Sequence, residues 1–450
     1  MTINVTGPGR RGNPGNDFFE GTDFNDTLYA GDGSDWIMSS AGADTYYGDG
    51  TLGKSTFIDT VDYSNSNAAV NVDLTRTTQS GGTAQGDQLF EIENLIGSAF
   101  NDVLTGDGFD NKLSGGAGRD TLNGGGGNDR LYGGIDGQTD IVDGGSGSDT
   151  VDYSEVNGAM TIRLNDQVRD GLFLVTQDGS ATINASTSSF SFNGNTYNYI
   201  IPAVQEDVLR NMENVIATSL NDTIYGNNQN NTIRGGAGAD FIDGRIGNDT
   251  ASYARDGVVT AYNLPAGIDV DLTRELQIGG DAQGDRLLSI ENVIGSSAND
   301  TIRGNSMNNR LEGGMGDDRL FGREGADTLM SGLGADTLDG GTGADIFLYN
   351  SVSESQMVMW EPFPGVLTAL RNEIDTIQNF ETGIDRIDLR GIDANTSIGG
   401  DQAFVFVSSF SGAAGQLILN GSTLRGDVNG DGNADLIVNV SGAARGDILL

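Results

Sequence analysis

The chain has 450 residues, of which 70 are glycine and 36% are hydrophobic, too little apolar material for one conventional globular core of that length. Its 64 acidic residues against 24 basic ones leave a formal charge of -40, which argues against nucleic acid or an anionic membrane as partner and for a cation. With no cysteine and no histidine, disulfides, thiolate metal sites, the HExxH zinc site, the Ser-His-Asp triad and every imidazole base are excluded.

The N-terminal stretch MTINVTGPGRRGNPGNDFF lacks the apolar run of a Sec signal peptide, and no later segment is apolar enough to span a bilayer as a helix. Export therefore needs another address. From Asp17 onward the chain is periodic. Aspartates recur every nine residues at Asp17, Asp26, Asp35 and Asp44, each followed two places later by an apolar side chain: Phe19, Leu28, Ile37 and Tyr46. A second run has Asp102, Asn111, Asp120 and Asp129, then a two-residue insertion that resets the register to Asp140 and Asp149. A third has Asp222, Asn231, Asp240 and Asp249; the fourth has Asp300, Asn309, Asp318, Asp327, Asp336 and Asp345. The clearest units are GGAGRDTLN, GGGGNDRLY, GGAGADFID and GGTGADIFL.

Six glycine-rich residues make a tight turn with positive backbone dihedrals, and the following Asp-x-apolar makes a short strand. Two units close one coil of 18 residues, with the apolar residue inward and the carboxylates aligned along each edge. Stacked carboxylates repel, so the coil needs a counterion, and calcium takes hard oxygen ligands of this kind. The units resemble the nonapeptide repeat of the RTX calcium-binding proteins. The resemblance implies a parallel β-roll, several calcium ions, and ions between turns 18 residues apart, joining Asp26 with Asp44, Asp102 with Asp120, Asp222 with Asp240, Asp300 with Asp318, and Asp327 with Asp345. Asn111, Asn231 and Asn309 keep an oxygen but lose a charge, so binding there is expected to be weaker.

The string GDGTLGKS at 48–55 satisfies the phosphate-loop pattern, but β-branched, strand-like TFIDTVDYS follows it where a helix would have to begin. No nucleotide is expected, and the glycines are read as a turn leaving the first roll. Three longer segments then recur, opening DTVDYS, DTVDYS and DTASYA and ending GDQLFEIENLIG, EDVLRNMENVIA and GDRLLSIENVIG. Alternation in AVNVDL and GIDVDL reads as hairpins inserted in the roll, with Glu93, Glu213 and Glu291 read as solvated carboxylates or, in the alternative, as groups that reinforce calcium or cap the turn. In the longest insertion, SFSFNGNTYNYII reads as a hairpin around NGN, an ordinary edge hairpin covering the end of a roll or, if the protein touches a glycan or surface partner, the place for that contact.

After the fourth roll, DIFLYNSVSES, EIDTIQNFETGIDRIDLRGID and LRGDVNGDGNADLIVNVSG resemble the C-terminal region of serralysin-type proteases, shared with other substrates of type I secretion. This implies an uncleaved export signal at Asp447, Ile448, Leu449 and Leu450, recognition by a type I secretion apparatus, and an extracellular location. Asp427, Asn429, Asp431 and Asp435 have EF-hand-like spacing, but Val438 stands where the bidentate Glu belongs. The loop is equally a weak calcium site or an Asx-turn hairpin. QMVMWEPFPGVLTALRN reads as an apolar insertion.

The expected fold is all-β: a parallel β-roll with inserted β-hairpins and a β-sandwich-like C-terminal secretion domain. Its expected divisions are rolls at 1–54, 97–152, 217–253 and 295–349, β insertions at 55–96, 153–216 and 254–294, and the C-terminal domain at 350–450. The expected function is that of a secreted protein that folds on calcium after export, non-catalytic, with an adhesive or matrix role. An alginate-type epimerase or lyase on a β-helix is the alternative, and the carrier half of a longer secreted enzyme is a third reading. No GxSxG element is present.

Overall fold

The computed structural model describes residues 10–48, 57–134, 136–164, 166–170, 173–177, 179–183, 186–192, 195–201, 204–255, 266–360 and 369–450. Most of GDGTLGKS lies outside them. The chain divides into two compact units, Met1–Ile233 and Arg234–Leu450. Among the described residues both are built from short strands, with one single-turn 3-10 segment in the first, three in the second, and no α-helix in either.

The repeat dictates the strand. In Asp-x-apolar-x the central residue is buried and its two neighbours face outward, since successive side chains alternate across a strand. In the first unit, Phe18–Glu20, Trp36–Met38, Thr60–Asp62, Asn94–Ile96, Lys112–Ser114, Arg130–Tyr132, Thr150–Asp152 and Asn214–Ile216 pair in succession, all parallel. Opposing strands include Thr27–Tyr29, Thr45–Tyr47 and Gln88–Phe90, then Asn71–Asp73, Val103–Thr105, Thr121–Gly126, Asp140–Ser146 and Val204–Arg210. The central residues Phe19, Ile37, Val61, Leu95, Leu113, Leu131 and Val151 form one inner row, and Leu104, Leu122 and Val142 belong to the other; all are fully buried.

Regular coils pair residues 18 apart, as in Lys112 with Arg130. Across the two-residue insertion the offset becomes 20, as in Arg130 with Thr150, so the inward face is kept. The glycines permit the close stacking of turns. Gly118 has φ 117, and a methyl there would sit 2.6 Å from the Phe100 carbonyl carbon.

The segments expected as hairpin insertions also supply roll strands. Thr60–Asp62, Gln88–Phe90 and Asn94–Ile96 all lie within 55–96 and pair in parallel with the roll strands Trp36–Met38, Thr45–Tyr47 and Lys112–Ser114 respectively. The hairpin itself is reduced to a closure in which Asn71 and Ser80 exchange backbone hydrogen bonds, repeated by Asp269 and Ile278. The reason is that Asp59-Thr-Val61, Asp87-Gln-Leu89 and Glu93-Asn-Leu95 retain the acid-x-apolar triad without the GGxGx spacing of glycines that precedes it in the repeat. In the long insertion, Asp166–Asp170 pairs antiparallel with Phe173–Gln177, and Ser186–Phe192 with Asn195–Ile201, the hairpin expected around NGN.

In the second unit, Asn292–Ile294, Arg310–Met315, Thr328–Leu333, Ile346–Leu348, Arg386–Asp388 and Ile448–Leu449 form one parallel series. Asp269–Asp271, Thr301–Arg303, Arg319–Glu324, Thr337–Thr342, Asp375–Gln378 and Leu436–Val440 form the other. Thr423–Asp427 and Gln416–Asn420 add antiparallel strands to this second series. The C-terminal region thus extends both sheets of the roll. Gln356–Trp360 and Ala369–Glu373 make the hairpin of the apolar insertion, with 361–368 outside the described residues.

Candidate metal centre

The repeat aspartates form two ladders, one along each edge of the roll. In each rung a backbone N–H donates to a carboxylate oxygen of the next coil. On one edge of the first unit, Asp17 N–H donates to Asp35 Oδ1 (2.7 Å), Asp35 to Asp59 (2.8 Å) and Asp59 to Glu93 Oε2 (2.8 Å). The same edge resumes with Asn111 to Asp129, Asp129 to Asp149 (both 2.8 Å) and Asp149 to Glu213 (2.9 Å). On the other edge Asp26 donates to Asp44 and Asp44 to Asp87 (both 2.8 Å), then Asp102 to Asp120 and Asp120 to Asp140 (both 2.7 Å). In the second unit the series are Asp300 to Asp318 to Asp336 to Asp375, and Asn309 to Asp327 to Asp345 to Asp385. Asp240 donates to Asp285 (2.8 Å), and Asp249 to Glu291 (2.9 Å).

Each rung consumes one carboxylate oxygen, and the fate of the other divides the ladder into classes. At Asp120, Asp129, Asp149, Asp318, Asp327 and Asp345 the Oδ2 atom is buried and has no hydrogen-bond partner. Such a group is expensive to leave unsatisfied in a dry interior. It is packed against the first glycine of its own unit: a methyl on Gly124 would overlap Asp129 Oδ2, and one on Gly322 would overlap Asp327 Oδ2. Burial is the main reason these carboxyls resist ionisation, with acidic neighbours adding to it. It pushes Asp318 up to about 9, Asp120 to about 8, and Asp129, Asp327 and Asp345 to about 6.

Elsewhere protein donors fill the second oxygen. Asp26 Oδ2 accepts from Thr22 N–H and Oγ1, and Asp17 Oδ2 from Asn13 N–H. Asp44 Oδ2 accepts from Tyr46 Oη (2.8 Å) and Ser40 Oγ (2.9 Å). Asp102, Asp222 and Asp300 accept from the hydroxyl and N–H of Ser98, Thr218 and Ser296, and also from the backbone of Val70, Met160 and Ile268. The amides of Asn111, Asn231 and Asn309 are used at both ends: each oxygen accepts a backbone N–H at 2.8 Å, and each nitrogen donates to the carbonyl of Glu93, Glu213 or Glu291 at 2.7–2.9 Å.

Glu93, Glu213 and Glu291 are half-buried, and each accepts the ladder N–H in an aspartate's place, the longer side chain reaching back over a coil without the glycine turn. DVNGDGNAD is an Asx-turn hairpin: Asp427 accepts Gly430 and Gly432 N–H, and Asp435 accepts Val428 and Asn429 N–H. Asp59, Asp87, Asp207, Asp285, Asp375 and Asp385 were not singled out by the repeat, although each stands two places before an inward apolar residue. That triad alone finds them.

Residues 11–46, 91–108, 105–137, 136–151 and 216–251 match the family described as the RTX calcium-binding nonapeptide repeat. The chain carries RTX calcium-binding repeats. Residues 278–449 match the family described as Peptidase M10 serralysin C terminal. Together these mark a secreted, extracellular protein whose repeats bind calcium ions. Among solved structures, the AlgE6R3 subunit of the Azotobacter vinelandii mannuronan C5-epimerase is similar at 24% identity and a TM-score of 0.23, over 35% of this chain and 80% of that one. The extracellular lipase LipA of Serratia marcescens is similar at 13% identity and a TM-score of 0.23, over 88% of this chain and 45% of that one, so the chain spans under half of the lipase. A search of curated proteins returned no match.

The bare Oδ2 atoms fit a hard cation. Among the described residues no three carboxylate side chains converge as a metal cluster. An ion on these edges would therefore draw further oxygens from turn carbonyls such as Gly340 O, which lies against Gly322. That donor set, neutral carbonyls with one or two carboxylates, is one calcium accepts.

Proposed function

We propose that the chain is a calcium-triggered extracellular scaffold, exported through a type I apparatus engaged by its serralysin-like C-terminal region. The observation that carries this is the set of buried, partnerless Oδ2 atoms at Asp120, Asp129, Asp149, Asp318, Asp327 and Asp345. Calcium would supply the positive charge and the oxygen-binding capacity these atoms lack, so binding and folding become one process. The chain's own residues do the rest: aspartate Oδ1 atoms tie each coil to the one before, and the inward apolar row sets the register. Extracellular modules bind calcium with dissociation constants of about 10⁻⁴–10⁻³ M, suited to a chain that stays open until it leaves the cell. Circular dichroism during a calcium titration at pH 8 tests this, and the full β-structure of the loaded chain persisting in excess chelator at that pH would contradict it.

An adhesive role has one specific support. A cavity of about 390 Å³ on the outer face of the first unit is lined by Trp36, Asn94, Lys112, Ser114, Tyr132, Asp152 and Glu155 among others. The Trp36 indole N–H is held by Asp62 (3.2 Å), and Arg130 by Asp152 (2.8 Å), so a ring face and a set of planar polar groups are fixed in advance. That chemistry suits a saccharide. Glycan binding by the calcium-loaded chain, lost in Trp36→Ala, is the expected result; altered stereochemistry or unsaturated ends in a uronic-acid polymer would favour the epimerase or lyase alternative.

A further inference from the structure

We propose that Tyr63–Asp87 and Tyr253–Asp285, contacts of the same form as Tyr153–Asp207, are ion-free clasps, in which a phenol O–H fills the carboxylate oxygen that calcium serves elsewhere, each placed ahead of an ion-loaded run, 102–149 or 300–345. The inference rests on the calcium reading of the bare oxygens and concerns the places where that reading stops.

The three tyrosines are almost completely buried, and each hydroxyl donates to Oδ2 of its aspartate: Tyr63 to Asp87 at 3.2 Å, Tyr253 to Asp285 at 3.1 Å, and Tyr153 to Asp207. Asp87 and Asp285 occupy ordinary ladder positions, since their Oδ1 atoms accept the N–H of Asp44 and Asp240. What differs is only the donor on the second oxygen. The pairs are 24, 54 and 32 residues apart in sequence, so the same contact closes loops of quite different length and content. A contact kept across such variation is a positional device rather than a by-product of one loop. At Asp375 a hydroxyl again fills Oδ2, this time from Ser331 (2.9 Å), with Tyr349 fully buried nearby.

The next ladder on the same edge starts afresh in each case. After Asp87 it restarts at Asp102 and after Asp285 at Asp300, where Ser98 and Ser296 hydroxyls and N–H groups engage the carboxylate. On the opposite edge the matching break is Glu93 followed by Asn111, and Glu291 followed by Asn309, joined through the asparagine amide. At these coils protein donors therefore satisfy the carboxylate on one edge and the asparagine amide on the other. A phenol suits this task. It is neutral, it donates one hydrogen bond, and its ring fills the thin interior.

The test is calcium stoichiometry of the full-length chain, measured by calorimetry and equilibrium dialysis. Asp318→Asn, which alters a bare-oxygen position, is expected to bind at least one ion fewer. Asp87→Asn and Asp285→Asn are expected to keep the full count, the phenol oxygen accepting from the new amide. Tyr253→Phe should also keep the count while lowering the melting temperature of the loaded chain by about 2–5 °C, the effect of one lost buried hydrogen bond. Loss of an ion in Asp87→Asn, Asp285→Asn or Tyr253→Phe overturns the clasps and leaves the calcium reading standing. A full count in Asp318→Asn overturns the calcium reading itself, and the clasps with it.

Discussion

The run from Asp300 to Asp345 and the seam from Asp249 to Glu291 lie in the same unit and use the same rung, an N–H onto a carboxylate of the following coil. In the run, Asp318, Asp327 and Asp345 each bury an oxygen with nothing to receive. In the seam, Tyr253 fills Asp285 and a glutamate takes over from aspartate. On the proposed calcium-triggered folding, backbone geometry is therefore not what would make the fold depend on an ion; the dependence would be set by what stands opposite one oxygen atom.

Removing calcium is the strongest way to break the symmetry between the two regions. In chelator the runs 102–149 and 300–345 are expected to lose protection from hydrogen exchange first, with the seams retaining more; uniform loss would show the two to be equivalent. Cutting the core comes next. Leu329→Ala, in the middle of the fourth run, should destabilise the loaded chain by about 2–5 kcal/mol, read from thermal unfolding in saturating calcium.

Gly322→Ala attacks the run through its turn, since the methyl meets Asp327 Oδ2 and the Gly340 carbonyl at once. A cost of about 1–3 kcal/mol and weaker calcium binding are expected, whereas Gly399→Ala, in open space, should leave both unchanged.

Acid sharpens the comparison further. Burial pushes the bare-oxygen carboxyls up from the ordinary aspartate value of 3.8, Asp129, Asp327 and Asp345 to about 6, Asp120 to about 8 and Asp318 to about 9. A raised folded-state value means the folded chain holds protons more tightly, so this contribution is fully present below pH 4 and is lost as the pH rises through 6 to 9. Metal-free protein should then show more β-structure at pH 5 than at pH 8 by circular dichroism, and the reverse order would contradict the burial of these groups.

The smallest effect is expected at Arg323, which occupies a turn position at φ 83 and forms two hydrogen bonds to Asp271 at 2.8 and 2.9 Å. Burial alone would raise the Asp271 carboxyl, but the Arg323 and Thr273 hydrogen bonds outweigh it and hold it down at about 2. Arg323→Gly relieves the backbone while removing the ion pair, and the two should cancel to within about 1 kcal/mol.

Much of this was legible in the sequence because the period is a direct copy of the coil. The 18-residue register, the inward Leu and Ile row and the shift at Asp140 all follow from counting. The seams were harder to read. The GGxGx spacing was the visible mark of a turn, and Asp59, Asp87 and Asp285 make their coils without it, so their segments read as hairpins. The role of Glu93 depended on reach, which spacing does not encode. The pairing of Tyr153 with Asp207 joins residues 54 apart through an intervening excursion, and only the folded backbone brings them together. The Trp36 cavity collects side chains from strands spread between 36 and 155, none of which carries a motif.

The 18-residue coil also has a mechanical meaning. Force applied along the stack would be borne by one coil's short strands and carboxylate rungs at a time, so the chain would yield in steps instead of all at once. Each released coil would pay out about 60 Å of extended chain, and each could close again on its ion when the load fell. A molecule of this construction, anchored at two points outside a cell, would behave as an extensible, self-resetting tether whose stiffness is set by the calcium around it.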